Sequence, residues 1–109
     1  MNVLFICSRN QWRSPTAEQV WRYHPDLSVK SAGTSRNARK PVTPALLQWA
    51  DAICVMEQKH KNRLVAEYHR LLEHKTIHVL DIADDYQYMD PQLVELLKDV
   101  VAHRLRLAI

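Results

Sequence analysis

Short apolar runs alternate with stretches of helical periodicity along this chain, and this alternation constrains its fold more than any other feature. The apolar runs predict four strands, at residues 2–6, 27–32, 52–56 and 76–80. Strands that alternate with helices favour a parallel sheet, because each parallel connection needs a long crossover. Right-handed crossovers then predict a small doubly wound α/β fold, a four-stranded parallel sheet with helices on both faces.

Proline-containing pairs mark the starts of three predicted helices. In each pair a capping residue precedes a proline, as is typical of a first helical turn. The pairs are Ser14-Pro15, Thr43-Pro44 and Asp90-Pro91. Together with a charged segment, they predict helices from 14 to about 24, over 45–50, over 57–73, and from 91 to about 107. Gly33 is the single glycine and ends the second strand, and we expect a polar, basic loop over 34–42.

Length and charge restrict the class of protein. The 109 residues suit one domain over 1–109, and a hydrophobic content of 47% is enough for one core. The apolar runs are too short to span a bilayer and the N-terminal run has no basic leader, so we expect a cytoplasmic protein that does not bind membranes. The net charge of +3 fits an anionic substrate but is too weak to indicate nucleic-acid binding. The oligomeric state stays open.

The segment between the first strand and the first helix carries the strongest chemical signal. It reads Cys7-Ser8-Arg9-Asn10-Gln11-Trp12-Arg13-Ser14, a cysteine and an arginine separated by five residues. A loop wrapped over a helix N-terminus points several backbone N–H groups at one place, which makes an anion site. We expect the five intervening residues to bind phosphate.

Three side chains of this segment have predicted catalytic roles. The positive potential favours the thiolate of Cys7, so we interpret Cys7 as a nucleophile and not as an ordinary buried cysteine. The planar guanidinium of Arg13 suits two phosphoryl oxygens at once. The hydroxyl of Ser14 can hold the thiolate and later ease its departure as a leaving group.

An acidic loop at 81–89 is expected at the same edge of the sheet, because ligands of doubly wound folds bind beyond the carboxyl ends of the strands. Asp84 or Asp85 can protonate a leaving oxygen there and then act as a base on water. Tyr86, Tyr88 and Trp12 are candidates for the walls of the site mouth, with ordinary packing as an equal alternative.

The chain resembles the low-molecular-weight protein tyrosine phosphatase family, and within it a short bacterial subgroup of predicted tyrosine phosphatases. The resemblance covers most of the chain in order. The matching segments are 3–7, Asn10, 13–15, 17–18, 31–34, 51–57 and 84–86. It implies the phosphotyrosine protein phosphatase I-like fold and a phosphomonoesterase that needs no metal or other cofactor.

The resemblance also implies roles for individual residues. Cys7 would attack phosphorus and form a phosphocysteine, and Arg13 would bind the phosphoryl group. Asn10 matches the asparagine that holds the loop in shape, and Ser31 matches the serine that hydrogen-bonds the loop. The substrate would be a phosphotyrosine protein or a small phosphate ester.

Several positions depart from the family pattern. The general acid of the family opens an Asp-Pro-Tyr motif, which here reads Asp-Asp-Tyr, so Asp84 takes the role by position and Asp85 competes with it. Arg9 replaces the usual loop glycine, and Trp12 stands where many members have a second cysteine. About one helix after Gly33 is missing, together with the histidine that commonly supports the loop. These departures affect substrate choice more than chemistry.

Two other functions compete with the phosphatase. An arsenate reductase needs two further cysteines, and only Cys54 remains, which we expect to be inert in the third strand. A non-catalytic phosphate- or nucleic-acid-binding module would use Arg9 and the basic side chains of the 34–42 loop, Arg36, Arg39 and Lys40. It would not need Cys7, Arg13 and Asp84. The histidines, including His60 on the charged helix, show no metal-ligand spacing and are expected on a solvated face.

Overall fold

The computed structural model describes residues 1–107, in which strands and helices alternate from one end to the other. The elements are β1 (Asn2–Cys7), α1 (Arg13–Trp21), β2 (Ser28–Gly33), α2 (Pro44–Trp49), β3 (Ala52–Val55), α3 (Gln58–Leu72), β4 (Thr76–Val79) and α4 (Pro91–Leu105). Every predicted element is present and only the ends differ. No helix within residues 1–107 is both long enough and apolar enough to cross a membrane.

The four strands form one parallel sheet in the order β2-β1-β3-β4, which confirms the predicted fold class. Alternate residues of β1 enter two separate hydrophobic clusters, with Phe5 in one and Leu4 in the other. Leu97 of α4 packs in the Phe5 cluster, and Leu64 of α3 packs in the Leu4 cluster. Because β1 is buried on both faces, it reads in the sequence as a continuous apolar run.

Two of the three predicted helix caps form, and the third does not. The Thr43 side chain accepts a hydrogen bond from the backbone N–H of Leu46, and the Asp90 side chain accepts one from Gln92. The prediction that Ser14 caps α1 is wrong, because that helix begins one residue earlier and has no side-chain cap. The Ser14 hydroxyl is fully buried and is turned toward Cys7 instead.

The 34–42 loop packs directly on the segment that follows β1. Its backbone N–H groups donate to the carbonyls of that segment, from Thr34 to Cys7 (3.0 Å) and from Ser35 to Ser8 (2.9 Å). Gly33 permits this close approach, since a Cβ atom there would lie 2.6 Å from the Ser8 carbonyl oxygen and 2.6 Å from the Ala38 Cβ. The single glycine therefore stands where two backbone segments meet.

Gly33→Ala should lower the free energy of unfolding by about 1–3 kcal/mol, because the added methyl group overlaps the Ser8 carbonyl and the Ala38 side chain. Urea unfolding would measure the loss. The double variant Gly33→Ala/Ala38→Gly, compared with Ala38→Gly alone, relieves the side-chain overlap but keeps the backbone overlap, so it should recover only part of the stability. Wild-type stability of Gly33→Ala would contradict the argument.

Candidate active site

A pocket of about 430 Å³ lies at the carboxyl end of β1, over the start of α1. We call the segment from Cys7 to Ser14 the phosphate loop, after the anion site predicted there. Its residues form most of this pocket, which we call the phosphate pocket. The lining residues are Cys7, Ser8, Arg9, Gln11, Trp12, Arg13 and Asp84. The fold thus brings Asp84, which is distant in the sequence, into one pocket with Cys7 and Arg13 of the first loop segment.

The thiol of Cys7 contacts the Ser14 hydroxyl, which in turn is hydrogen-bonded by the Asn10 side chain. Its Sγ lies 3.0 Å from the Ser14 Oγ, and the Asn10 side-chain amide donates to that same Oγ at 2.8 Å. Because the Ser14 oxygen accepts from Asn10, its own proton is available to the sulfur, with the Ala32 carbonyl at 3.3 Å as the competing acceptor. This arrangement stabilises negative charge on the sulfur.

Asn10 supports the phosphate loop and does not line the pocket. Its φ of 56° lies in the left-handed region, which asparagine tolerates better than most residues. The residue is fully buried, and its carbonyl accepts from the Arg39 Nε at 3.1 Å. Of its two predicted roles, the contacts fit loop support, and its side chain is directed at Ser14.

Arg13 is 2% exposed, so its positive charge has to be compensated inside the protein. Its Nη1 donates to the Glu57 carboxylate and, at 2.7 Å, to the Ile82 carbonyl, while its Nε lies 3.6 Å from the Asp84 Oδ1. Partial burial opposes the charge of Glu57, but the hydrogen bond and the charge of Arg13 outweigh it and hold the pKa of Glu57 below its usual value. These contacts orient the guanidinium.

His60 was expected on a solvated face, and this prediction is wrong because its ring is 1% exposed. Its Nδ1 accepts from the backbone N–H of Glu57 at 3.0 Å, so the neutral ring carries its proton on Nε2, which donates to the Ser8 Oγ at 2.8 Å. Burial, and after it the nearby charge of Arg13, lower the pKa of His60 from 6.5 to about 4. The hydroxyl proton of Ser8 is then free to point into the pocket.

Glu57 and His60 are site residues that the sequence analysis missed. Both belong to the start of α3, where the Glu57 side chain and the His60 side chain form reciprocal hydrogen bonds with each other's backbone N–H groups. The position of Glu57 could have indicated its role. It follows the carboxyl end of β3, a buried strand beside β1, and this is the edge of the sheet where ligands bind.

The two candidate acids occupy different positions. Asp84 lines the pocket, faces Arg13, and has 59% of its side chain exposed. Asp85 is exposed and lies outside the residues that line the pocket. The contacts therefore favour Asp84 over its neighbour.

Four other predicted residues lie in places that differ in part from expectation. Ser31 does not serve the phosphate loop as expected, because its hydroxyl donates to Glu18 of α1. Tyr86 packs against the hydrophobic core and lines no part of the pocket, so it is not a mouth residue. Tyr88 lines a neighbouring groove, while Trp12 lines both the pocket and that groove.

A model of the low molecular weight phosphotyrosine protein phosphatase family matches residues 2–49. The curated protein-tyrosine-phosphatase Wzb of Salmonella typhi is 34% identical over an alignment of 88 residues, and the match covers 75% of this chain and 59% of that protein. The Wzb of Escherichia coli K12 is 33% identical over an alignment of 87 residues, and the match covers 58% of this chain and 59% of the relative. The chain therefore spans less than two thirds of the length of these relatives.

Solved structures share the fold at lower identity. A low molecular weight protein tyrosine phosphatase from T. tengcongensis has a TM-score of 0.78 and 22% identity, over 97% of this chain and 98% of that chain. Wzb from Escherichia coli K30 in complex with phosphate has a TM-score of 0.76 and 20% identity, over 96% of both. The YwlE arginine phosphatase from Geobacillus stearothermophilus has a TM-score of 0.74 and 21% identity, over 96% and 92%.

Stability should decrease as the pH falls from about 6.5 toward 4. In that window the unfolded chain protonates His60, whose free pKa is 6.5, while the folded protein, with a pKa of about 4, excludes the proton. The loss should reach up to about 3 kcal/mol. Urea unfolding at several pH values would measure it.

His60→Gln is the matched control, because carboxylates also titrate in this window. The variant should be less stable at pH 7 and should depend less on pH between 6.5 and 4 than the parent protein. Identical pH dependence in both proteins would show that His60 is not the buried, neutral group described above.

Proposed function

Since the chain belongs to the low-molecular-weight phosphotyrosine protein phosphatase family, we propose that it hydrolyses phosphotyrosine or small aryl phosphates through a phosphocysteine on Cys7. The observation that carries the proposal is the single pocket lined by Cys7, Arg13 and Asp84 at the start of α1. Phosphoryl transfer needs mainly positioning and charge stabilisation, and such a pocket can supply both.

Substrate binding uses the donors that converge on the pocket. The phosphoryl oxygens accept from the backbone N–H groups of the phosphate loop and from the guanidinium of Arg13. The Ser8 hydroxyl, whose oxygen accepts from His60, adds a further donor. Asp84 lies 3.6 Å from Arg13, and an incoming phosphoryl group competes for the same guanidinium. Glu57 holds Arg13 through a different nitrogen, Nη1.

The first chemical step transfers the phosphoryl group to sulfur. The Cys7 thiolate attacks phosphorus, the S–P bond forms, and the bond from phosphorus to the leaving oxygen breaks. Asp84, protonated, gives its proton to that oxygen, so the alcohol leaves neutral. Arg13 and the loop N–H groups hold the charge that develops on the equatorial oxygens.

The second step returns the enzyme to its starting state. Asp84, now a carboxylate, takes a proton from water, and the water oxygen attacks phosphorus. The S–P bond breaks, inorganic phosphate forms, and the Cys7 thiolate is regenerated. The Ser14 hydroxyl, 3.0 Å from the sulfur, stabilises this leaving group.

The alternatives have less support. Arsenate reduction would need Cys54 as a partner thiol, but that residue is fully buried and burial raises the pKa of its thiol to about 12. A module that only binds phosphate would not need an acid in the same pocket as the thiol. The cytoplasmic location expected from the sequence stays a prediction, which cell fractionation would check.

Hydrolysis of p-nitrophenyl phosphate in the presence of EDTA tests the proposal. The wild-type protein should turn over the substrate, whereas Cys7→Ser should not, because a serine hydroxyl is a far weaker nucleophile than a cysteine thiolate. Cys7→Ser should still show a phosphate-dependent rise in Tm, since the loop donors remain. No hydrolysis by the folded wild-type protein, or equal hydrolysis by Cys7→Ser, would refute the mechanism. Because some structural neighbours are named arginine phosphatases, phosphoarginine belongs beside phosphotyrosine in the substrate panel.

Arg13→Lys should reduce kcat/KM at least tenfold, a loss of about 1.4 kcal/mol or more in transition-state stabilisation. The planar guanidinium of arginine can contact two phosphoryl oxygens and the Glu57 carboxylate at once, whereas the ammonium of lysine is a point charge without this fork of donors. Circular dichroism would confirm that the variant is folded. A smaller loss would mean that Arg13 is not the phosphate clamp.

Asp84→Asn and Asp85→Asn distinguish the two candidate acids, since they make the same chemical change at adjacent positions. We expect Asp84→Asn to lose about 10²-fold or more in kcat with phenyl phosphate, whose leaving group needs a proton. The loss should be smaller with p-nitrophenyl phosphate, whose leaving group is a weaker base. Asp85→Asn should stay within about twofold, a difference of roughly 0.4 kcal/mol.

A larger loss for Asp85→Asn than for Asp84→Asn would assign the acid to residue 85. Equal, small losses for both variants with both substrates would mean that neither carboxylate protonates the leaving group.

A further inference from the structure

A groove of about 650 Å³ opens directly beside the phosphate pocket. We call it the basic groove. The lining residues that matter here are Gln11, Trp12, Arg22, Arg39, Lys40 and Tyr88. Gln11 and Trp12 also line the phosphate pocket, so these two residues form the boundary between the two cavities. A chain that leaves the phosphate pocket past Trp12 enters the basic groove.

The walls of the groove are attached to the phosphate loop. The Thr16 hydroxyl donates to the Trp12 carbonyl at 2.6 Å and accepts from the backbone N–H of Met89 at 2.9 Å, which fixes the segment next to Tyr88. Arg39, another lining residue, donates through its backbone N–H to the Arg9 carbonyl (3.0 Å). The groove and the pocket are therefore positioned by the same loop.

The charges of the groove are unbalanced. Arg22, Arg39 and Lys40 supply three cations, and Glu18 is the one carboxylate among its lining residues. That carboxylate already accepts from the Ser31 hydroxyl and lies 3.4 Å from the Lys40 Nζ, so its charge is compensated within the protein. The remaining potential is positive and is next to a pocket that is itself suited to an anion.

We propose that the basic groove binds an acidic segment of the protein substrate, next to the phosphorylated residue. This inference rests on the proposed phosphatase function and names the substrate class for it. A peptide that inserts its phosphoryl group over Cys7 has to pass the exposed side chain of Trp12, and its next residues then meet Arg22 and Lys40. The volume of the groove accommodates a few residues of an extended chain.

Steady-state kinetics with three substrates test the inference. They are p-nitrophenyl phosphate, a phosphotyrosine peptide with Asp and Glu on both sides of the phosphotyrosine, and the same peptide with Asn and Gln instead. We expect kcat/KM for the acidic peptide to be about fivefold higher, through KM and not kcat, as for a few exposed ion pairs. The preference should decrease between about 50 and 500 mM salt.

The variant Arg22→Glu/Lys40→Glu should remove or invert the acidic preference, with each peptide compared against the variant's own rate on p-nitrophenyl phosphate. Arg39 is left unchanged because it holds the Asn10 carbonyl. The matched control is Arg70→Glu/Lys98→Glu, which changes net charge equally at exposed positions outside the groove. The control should keep the preference.

The outcomes separate the two proposals. Failure to hydrolyse p-nitrophenyl phosphate would refute the phosphatase function itself. Hydrolysis with equal kcat/KM for both peptides, or a preference lost equally in the control, would overturn the groove inference alone. Fluorescence anisotropy with a labelled single-stranded oligonucleotide tests whether the groove binds nucleic acid instead. Binding that depends on Arg22 and Lys40, without any peptide preference, would also overturn it and assign the groove to nucleic acid.

Discussion

The buried guanidinium of Arg13 is the group on which the rest of the site depends. A charge taken out of water costs several kcal/mol unless it is paired and hydrogen-bonded. Here the compensation comes from the Glu57 carboxylate at the start of α3 and from the Ile82 carbonyl after β4. Arg13 therefore connects three chain segments at the carboxyl edge of the sheet, and the same contacts aim its remaining N–H groups at the pocket.

The phosphate loop is supported on two sides by segments that are not part of it. On one side, His60 of α3 holds the Ser8 side chain. On the other, the 34–42 loop donates backbone hydrogen bonds to successive carbonyls of the phosphate loop, and Gly33 allows the close approach. A loop whose carbonyls are engaged on its outer side can direct its N–H groups inward, which is what an anion site requires.

The chemistry of the site and its specificity have different origins. Cys7, Arg13 and Asp84 are the groups that a phosphatase of this family would need, and they lie within one pocket. The residues that differ from the family pattern lie around that pocket. Trp12 forms the boundary with the basic groove, and Arg9 lines the pocket itself with an exposed cation. Under the proposed phosphatase function, this chain would differ from its relatives in which phosphorylated partner it accepts, and not in how it transfers phosphate.

The sequence by itself determined the order of elements, the sheet type, and the placement of Cys7 and Arg13 where the first strand passes through a loop into the first helix. Periodicity, caps and turn residues act over a few positions and can be read locally. What only the tertiary structure decided is which groups meet across long sequence separations. His60 is 52 residues from Ser8 and was expected in solvent, although its ring is buried and hydrogen-bonds the Ser8 side chain. Glu57 is 44 residues from Arg13. Ser31 has the expected type and position, but its hydrogen bond is to Glu18. Such contacts depend on how helices pack against the sheet, and a side chain's burial follows from the packing of both partners, which no local pattern encodes.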